Sequence, residues 1–199
     1  PDLKPIGVPE SRYEGRLSGK GTLRKKAMIF RDGHSLNQTH YIVLQSSTFV
    51  APYIKEHMNV VRSKFPGKDD YWIKENHMET FGTWLQLHLM NDTTIGDQLY
   101  LLAATPSATV LTFQGYEINE NTFYTISQDK KSTNQNSGVH FDATCDNGKK
   151  DTYYGYIEEI WELDYGPTFK VPLFRCSWVN MNREGVKVCL LYTSDAADD

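Results

Sequence analysis

Basic side chains are concentrated at the amino-terminal end of this 199-residue chain. Residues 1–31 carry eight lysines and arginines against three carboxylates, a net charge of about +5, although the whole chain has a formal net charge of −4. Such cations bind phosphates and release counterions from nucleic acid. The candidate nucleic-acid contacts are Arg12, Arg16, Lys20, Arg24, Lys25, Lys26 and Arg31. The alternative is a solvated flank, because an acidic body would repel the same polyanion.

A glycine-rich segment, residues 15–22, superficially matches a phosphate-binding P-loop. Three residues separate Gly15 from Gly19 where the motif needs four, and Gly21 occupies the position of the magnesium-binding Ser or Thr. The segment therefore predicts a flexible basic loop, and no nucleotide or other cofactor is expected.

The histidines and cysteines lack the spacing of a metal or catalytic site. His57, His77 and His88 are 20 and 11 residues apart, so no two stand at positions i and i+4. The three cysteines are widely spaced and include no C-x-x-C pair. Pairing Cys176 with His140 as nucleophile and base would need an orienting third group that the sequence does not announce. We expect buried or half-exposed side chains here, with no metal ligands.

Carboxylates are the remaining catalytic candidates, since a nuclease or transposase needs acidic groups that converge on a divalent metal. The acidic residues of the β-rich part are Asp142, Asp146, Asp151, Glu158, Glu159, Glu162 and Asp164. They fall at predicted turns or outward strand positions, and the alternating strands and helices of a ribonuclease-H-like fold are missing. The sequence therefore predicts no catalytic residues.

Aromatic residues are dense in residues 151–179, where they can form either a binding surface or a core. The aromatic surface candidates are Tyr153, Tyr154, Tyr156 and Trp161. Exposed rings would stack on nucleobases or enclose a methylated peptide, whereas inward-facing rings would build the core. Tyr153 and Tyr154 are the two most expected to be exposed, because adjacent strand residues face opposite ways.

The elements that position these side chains divide the chain into helical and β-rich parts. Apolar spacings of three and four predict helical segments at 36–47, from 49 onwards and from 69 or 70 to 89, which we interpret as a short helical hairpin. Gly82 weakens the last helix by about 1 kcal/mol relative to alanine. Short strands at 110–116 and 122–127, and a long hairpin at 152–164 and 168–179 with a bulge at Glu158-Glu159, indicate a small SH3-like barrel. The predicted fold class is α+β, a helical hairpin followed by an antiparallel β-barrel.

Three long motifs connect this chain to a known family. They are PIGVPESRYEGRLSGKGT at 5–22, PYIKEHMNVVRSKFPGKDDYWIKENHMETFGTWL at 52–85 and NQNSGVHFDATCDNGKKDTYYGYIEEIWELDYGPTFKVPLFRCSWVN at 134–180. They resemble plant CACTA (En/Spm-type) DNA transposon proteins, in which two domains of unknown function follow a transposase region. The first two motifs are similar to the end of one such domain, and the third is similar to the core of the next.

The resemblance implies a non-catalytic accessory domain of nuclear residence, because the catalytic transposase region would precede residue 1. The implied partners are DNA or a transposase or chromatin protein. Two features depart from the family pattern: Glu120 stands where a glycine is expected after Asn119, and the tail CLLYTSDAADD replaces the last strands. The barrel is therefore expected to be incomplete at its carboxyl end.

The predicted organisation is a basic arm at 1–35, a helical segment at 36–90, a linker at 91–109, a β-rich domain at 110–188 and a foreign tail at 189–199. The start of the chain lacks the layout of a signal peptide, and no apolar run is long enough to span a bilayer. We therefore expect a protein that is neither secreted nor membrane-spanning. The alternatives are a remnant of a transposase or metal-dependent nuclease, or an inert fragment.

Overall fold

The chain adopts an α+β fold in a computed structural model that describes residues 19–90, 95–133, 135–144, 150–167, 169–179 and 186–192. The helices in these ranges are α1 (Gly33–Gln45), α2 (Ala51–Lys64), α3 (Asp70–Leu89), α4 (Asp97–Ala103) and α5 (Ile126–Asp129). The predicted class is confirmed at this level.

Side-chain caps and proline set the ends of the longer helices. Asp32 accepts a hydrogen bond from the Ser35 amide at 2.7 Å before α1, and Asp69 accepts one from the Trp72 amide at 2.8 Å before α3. Each bond satisfies a backbone donor that has no partner within its own helix. A proline lies in the first turn of α2, where its missing N–H costs nothing.

Helices α1, α2 and α3 fall on the three predicted helical segments, but their interpretation as a short helical hairpin is not confirmed. Both α1 and α2 pack against α3. The 20-residue α3 buries a stripe at four-residue spacing, Ile73, His77, Phe81, Leu85 and Leu89. This stripe drifts around the helix along its length, so α3 has apolar surface for two neighbours.

The β structure consists of two antiparallel sheets. The larger contains β2 (Lys26–Ile29), β3 (Thr109–Phe113), β6 (Gly138–Thr144), β7 (Lys150–Asp164), β8 (Lys170–Val179) and β9 (Val186–Tyr192). Its order is β2-β3-β7-β8-β9, and β6 pairs with β7 along the edge that β3 also uses. The smaller sheet contains β1 (Gly19–Leu23), β4 (Gly115–Ile118) and β5 (Asn121–Tyr124), with β4 in the middle.

Two strand pairs bend together from one sheet into the other. The chain leaves β1 for β2 at Arg24 and Lys25, and it leaves β3 for β4 at Gln114. The Gln114 amide donates to the Leu23 carbonyl at 2.9 Å, which joins the two bends. The smaller sheet thereby folds over one face of the larger, as corner strands do in packed sheets.

Each face of the larger sheet therefore has its own core. Helices α1, α3 and α4 cover the half of the β7–β8 hairpin near its turn, where they pack on Trp161, Leu163, Val171 and Leu173. The smaller sheet covers the opposite face. This second core contains Phe113, Tyr116, Ile118, Ile157, Ile160, Phe174, Cys176 and Trp178.

The long hairpin and its bulge are confirmed, whereas the SH3-like barrel is not. Strands β7 and β8 pair from Tyr154 opposite Val179 to Asp164 opposite Lys170, with a register shift between Ile157 and Glu159. Among the described residues, the strands form two open sheets and no closed barrel. Closure needs a continuous ladder around the sheet, and here the corner at Arg24 and Gln114 divides the strands between two layers.

Several segments contain helices or strands that the sequence pattern did not predict. The described part of the predicted basic arm forms β1 and β2, and the predicted linker at 91–109 contains α4. Strand β9 extends from residue 186 to residue 192, so it includes the first four residues of the predicted tail. Its backbone pairs with β8 over residues 173–179.

Candidate functional site

Exposed cations lie where the chain crosses between the sheets. Arg24 adopts a left-handed backbone conformation, with φ of 51°, and is followed by the exposed Lys25 and Lys26. We call these three residues the basic corner. The Thr112 hydroxyl donates to the Lys26 carbonyl at 3.2 Å, and the Gln114 amide donates to the Leu23 carbonyl at 2.9 Å. Hydrogen bonds from β3 and its bend therefore anchor the backbone on both sides of the corner.

The cations of the basic corner are available to a ligand. Within the ranges that the structure describes, no carboxylate lies within ion-pair distance of Arg24, Lys25, Lys26 or the exposed Arg31. Lys20 differs, because its ammonium group is 3.4 Å from Glu117. Both partners are exposed, so this pair contributes little to stability.

Two of the seven predicted cations, Arg12 and Arg16, lie outside the described residues. The other five lie from β1 to the start of α1, inside the segment predicted as a basic arm. The structure adds that Lys20 lies in β1, which pairs with β4, and that Lys26 lies in β2, which pairs with β3. Arg24 and Lys25 form the connection between these two strands.

Two of the four candidate aromatic residues, Tyr154 and Tyr156, share a face of the larger sheet and lie outside both hydrophobic cores. Tyr154 is 53% exposed, and its ring centroid is 6.4 Å from that of the exposed His140 on β6. Tyr156 follows two residues later on the same strand and is half-buried. We call His140, Tyr154 and Tyr156 the tyrosine platform.

The other two aromatic candidates are turned into the cores. Tyr153 is half-buried and packs against the core under the smaller sheet. Trp161 is 9% exposed, and its indole N–H donates to Glu159 Oε2 at 2.8 Å. The ring of Phe30 meets the Trp161 ring edge-on at 5.8 Å. Trp161 therefore belongs to the core beneath the helices and is not part of the surface.

A partnered pair of carboxylates lies between the corner and the platform. At the bulge, Arg175 binds Glu159 at 2.8 Å and Glu158 at 3.3 Å, and the hydroxyl of buried Ser177 donates to Glu158 at 2.6 Å. The cross-strand partner Arg175 was not predicted, although it follows from the register once the bulge is placed. These acids are held by protein donors and do not converge on an empty metal position.

A fourth carboxylate contact lies on the opposite face of the sheet. The hydroxyl of the fully buried Tyr116 donates to Glu162 Oε2 at 2.6 Å. Burial, with a smaller contribution from Glu162, raises the pKa of Tyr116 far above its usual range. Tyr116 is therefore neutral at physiological pH and is not an acid–base group.

Two of the histidines form a buried pair that the sequence did not reveal. Nδ1 of His57 lies 2.7 Å from Nδ1 of His77, so one imidazole must donate and the other accept. Burial, and then the neighbouring His57, lowers the pKa of His77 to about 4. In the sequence, His57 and His77 are each ten positions from Gly67, which lies in the turn between α2 and α3. This equal spacing could have indicated that the two histidines face each other across the helix pair. Their role is packing, beside Phe81 and Trp84.

The described residues contain no group of three or more His, Cys, Asp or Glu side chains arranged to hold a metal ion. In the same part of the chain, none of the helices has the length and hydropathy needed to cross a membrane. What the arrangement offers is a fixed cluster of cations and a nearby aromatic surface, which suits binding.

Comparison with known proteins gave no match: neither a protein-family model, nor a curated protein, nor a solved structure matches this chain.

Proposed function

We propose that this chain is a non-catalytic accessory domain of a CACTA-type transposon protein, and that it binds nucleic acid through the basic corner. The proposal depends on one observation above all: Arg24, Lys25 and Lys26 are exposed, adjacent and without carboxylate partners among the described residues. Their backbone is anchored to β3, so little order has to be imposed on binding.

The net charge of −4 does not oppose this function directly, since local potential governs contact with phosphate. The Debye length is about 8 Å at physiological ionic strength, so acids further away are largely screened. Four described cations, the corner and Arg31, give an expected slope of log affinity against log salt of about −3.6 on duplex DNA.

The family, the nuclear location and a transposase or chromatin partner belong to the same proposal and are supported by the sequence resemblance alone. The proposed function does not require the expected SH3-like barrel; it requires only the two layers of antiparallel sheet. We do not favour an enzyme remnant, because Glu158 and Glu159 are engaged by Arg175.

The test is a fluorescence-anisotropy titration of labelled duplex DNA at several salt concentrations. Changing Arg24, Lys25 and Lys26 together to glutamine should weaken binding and make the salt slope shallower by about 2.7. A matched control changes the exposed Lys55, Lys74 and Lys131 to glutamine, which alters net charge equally. The control should bind as the parent does.

Two results would refute the proposal. One is absence of salt-sensitive binding of the parent chain to both duplex and single-stranded DNA. The other is an equal loss in the corner and control variants, since the binding would then follow net charge and not the corner. Circular dichroism of each variant checks that the fold is retained.

A further inference from the structure

We infer that the ligand is single-stranded nucleic acid, with its phosphates on the basic corner and its bases stacked on the tyrosine platform. The inference rests on the proposed function and specifies its ligand class. It follows from the position of Lys26, at the end of the corner, on the same face of the larger sheet as the platform.

Strand register places Lys26 of the corner on the same face as the platform. Lys26 pairs with Thr112, Thr112 pairs with Trp161, and Trp161 pairs with Leu173, so these four residues form one row across the sheet. Directly paired residues share a face, and Trp161 and Leu173 lie on the face that the helices cover.

The same face continues beyond the helices towards the platform. On β8, Arg175 and Ser177 alternate in phase with Leu173, and Ser177 pairs with Tyr156. On β6, His140 pairs with Tyr154. The helix core ends at the turn half of the hairpin, and the 53% exposure of Tyr154 shows that this end of the face is open.

The separation suits a short strand of nucleic acid. From the bulge to Tyr154 is five residues along β7, about 17 Å, and β2 lies two strand spacings away, about 10 Å. The corner and the platform are therefore about 20 Å apart, which is within the reach of the 4–16 nucleotides that a single-strand-binding fold covers.

Charge complementarity selects the ligand. The corner presents three cations without carboxylate partners in the described residues, which favours a polyanion over a methylated, cationic peptide. A duplex keeps its bases stacked inside, so exposed rings such as Tyr154 can accept bases only from a single strand.

The carboxylates between corner and platform oppose the strand, and Arg175 compensates part of their charge. Arg175 bridges Glu158 and Glu159, which leaves a local net charge of −1 between the two contact regions. If the strand crosses this network, neutralising Glu159 must tighten its binding.

The principal experiment compares three labelled probes in anisotropy titrations: an oligodeoxythymidine of about twelve nucleotides, an abasic strand of the same length, and a duplex. The parent chain should prefer the oligodeoxythymidine to the abasic strand. Tyr154→Ala should weaken oligodeoxythymidine binding about 5-fold or more while leaving abasic-strand binding unchanged. Tyr154→Phe should restore it, because the ring is kept.

Tyr71 supplies the matched control, since it is 75% exposed on α3 and far along the chain from the platform. Tyr71→Ala should bind as the parent does. As a second measurement, Glu159→Gln should strengthen oligodeoxythymidine binding, whereas Glu79→Gln, an exposed change of equal charge on α3, should not.

Equal affinity for the oligodeoxythymidine and abasic strands, or an ineffective Tyr154→Ala change, overturns the single-strand inference. If duplex binding still depends on the corner in that case, the proposed function survives. Failure of all three probes removes both. Binding of a polyglutamate peptide that Tyr154→Ala weakens, with no oligodeoxythymidine binding, would identify an acidic protein partner and also overturn the inference.

Discussion

Burial of His40 should make the stability of this fold depend on pH. His40 lies in α1 with 4% of its surface exposed, and its Nδ1 is 2.9 Å from the hydroxyl of Tyr165, just after β7. Its Nε2 is buried without a hydrogen-bond partner among the described residues. Burial lowers the pKa of His40 from 6.5 to about 4, because a charged imidazole would lose its hydration there.

The sign follows from proton binding. Between pH 6.5 and 4 the unfolded chain protonates His40 and the folded chain does not, so the free energy of unfolding falls as pH is lowered. The pKa difference corresponds to about 3 kcal/mol when fully developed, of which about 2 kcal/mol is lost by pH 5. His77, whose pKa is also lowered to about 4, and its neighbour His57, whose pKa is lowered by burial, add to this loss of stability as the pH is lowered.

The test is urea unfolding, monitored by circular dichroism at pH 7 and at pH 5, of the parent chain and of the His40→Gln variant. Glutamine is neutral at both pH values and retains an amide that can bond Tyr165. Between the two conditions the variant should lose about 2 kcal/mol less than the parent chain loses. His34→Gln is the matched control, because His34 is an exposed histidine of the same helix.

The reasoning is refuted if His40→Gln keeps the full pH dependence of the parent chain. It is equally refuted if the parent is no less stable at pH 5 than at pH 7. Either result would mean that His40 is not buried as a neutral group.

Two further predictions concern glycine. Glu120 has φ of 68° in the turn between β4 and β5, so Glu120→Gly should raise the free energy of unfolding in urea by about 1 kcal/mol. The control is Asn121→Gly, which should lower this free energy because Asn121 is outside the left-handed region. A Cβ at position 82 would lie 2.9 Å from the His40 ring, so Gly82→Ala should lower stability by about 1–3 kcal/mol despite its better helix propensity. Gly33→Ala, where nothing lies within 4 Å, should cause no such loss in the same urea-unfolding assay. A stabilising Gly82→Ala change would contradict the packing.

Much of the local structure could be predicted from the sequence because it depends on neighbouring residues. The cap at Asp69, the end of α3 at Leu89 and the bulge in β7 all arise from contacts within one element or one hairpin. The expected glycine at position 120 has the same origin, since both central residues of this two-residue turn, Asn119 and Glu120, have positive φ.

The candidate site was only partly predictable. The basic cluster is a matter of composition, so its cations were found directly. The pairing of β1 and β2 with β4 and β3 was missed, because the paired residues are about 80 to 100 positions apart in the sequence. The strand conformation at the start of the predicted tail was missed for a similar reason, since β9 depends on pairing with β8.

The sequence by itself determined the charge at the amino-terminal end, the helix caps and the turns, because each of these is written in adjacent residues. Only the tertiary structure decided which rings are exposed. The extra residue at the bulge reverses the alternation along β7, so Tyr154 and Trp161 share a face although they are seven residues apart. Helices then cover Trp161 and leave Tyr154 open, and that coverage depends on how distant segments pack together.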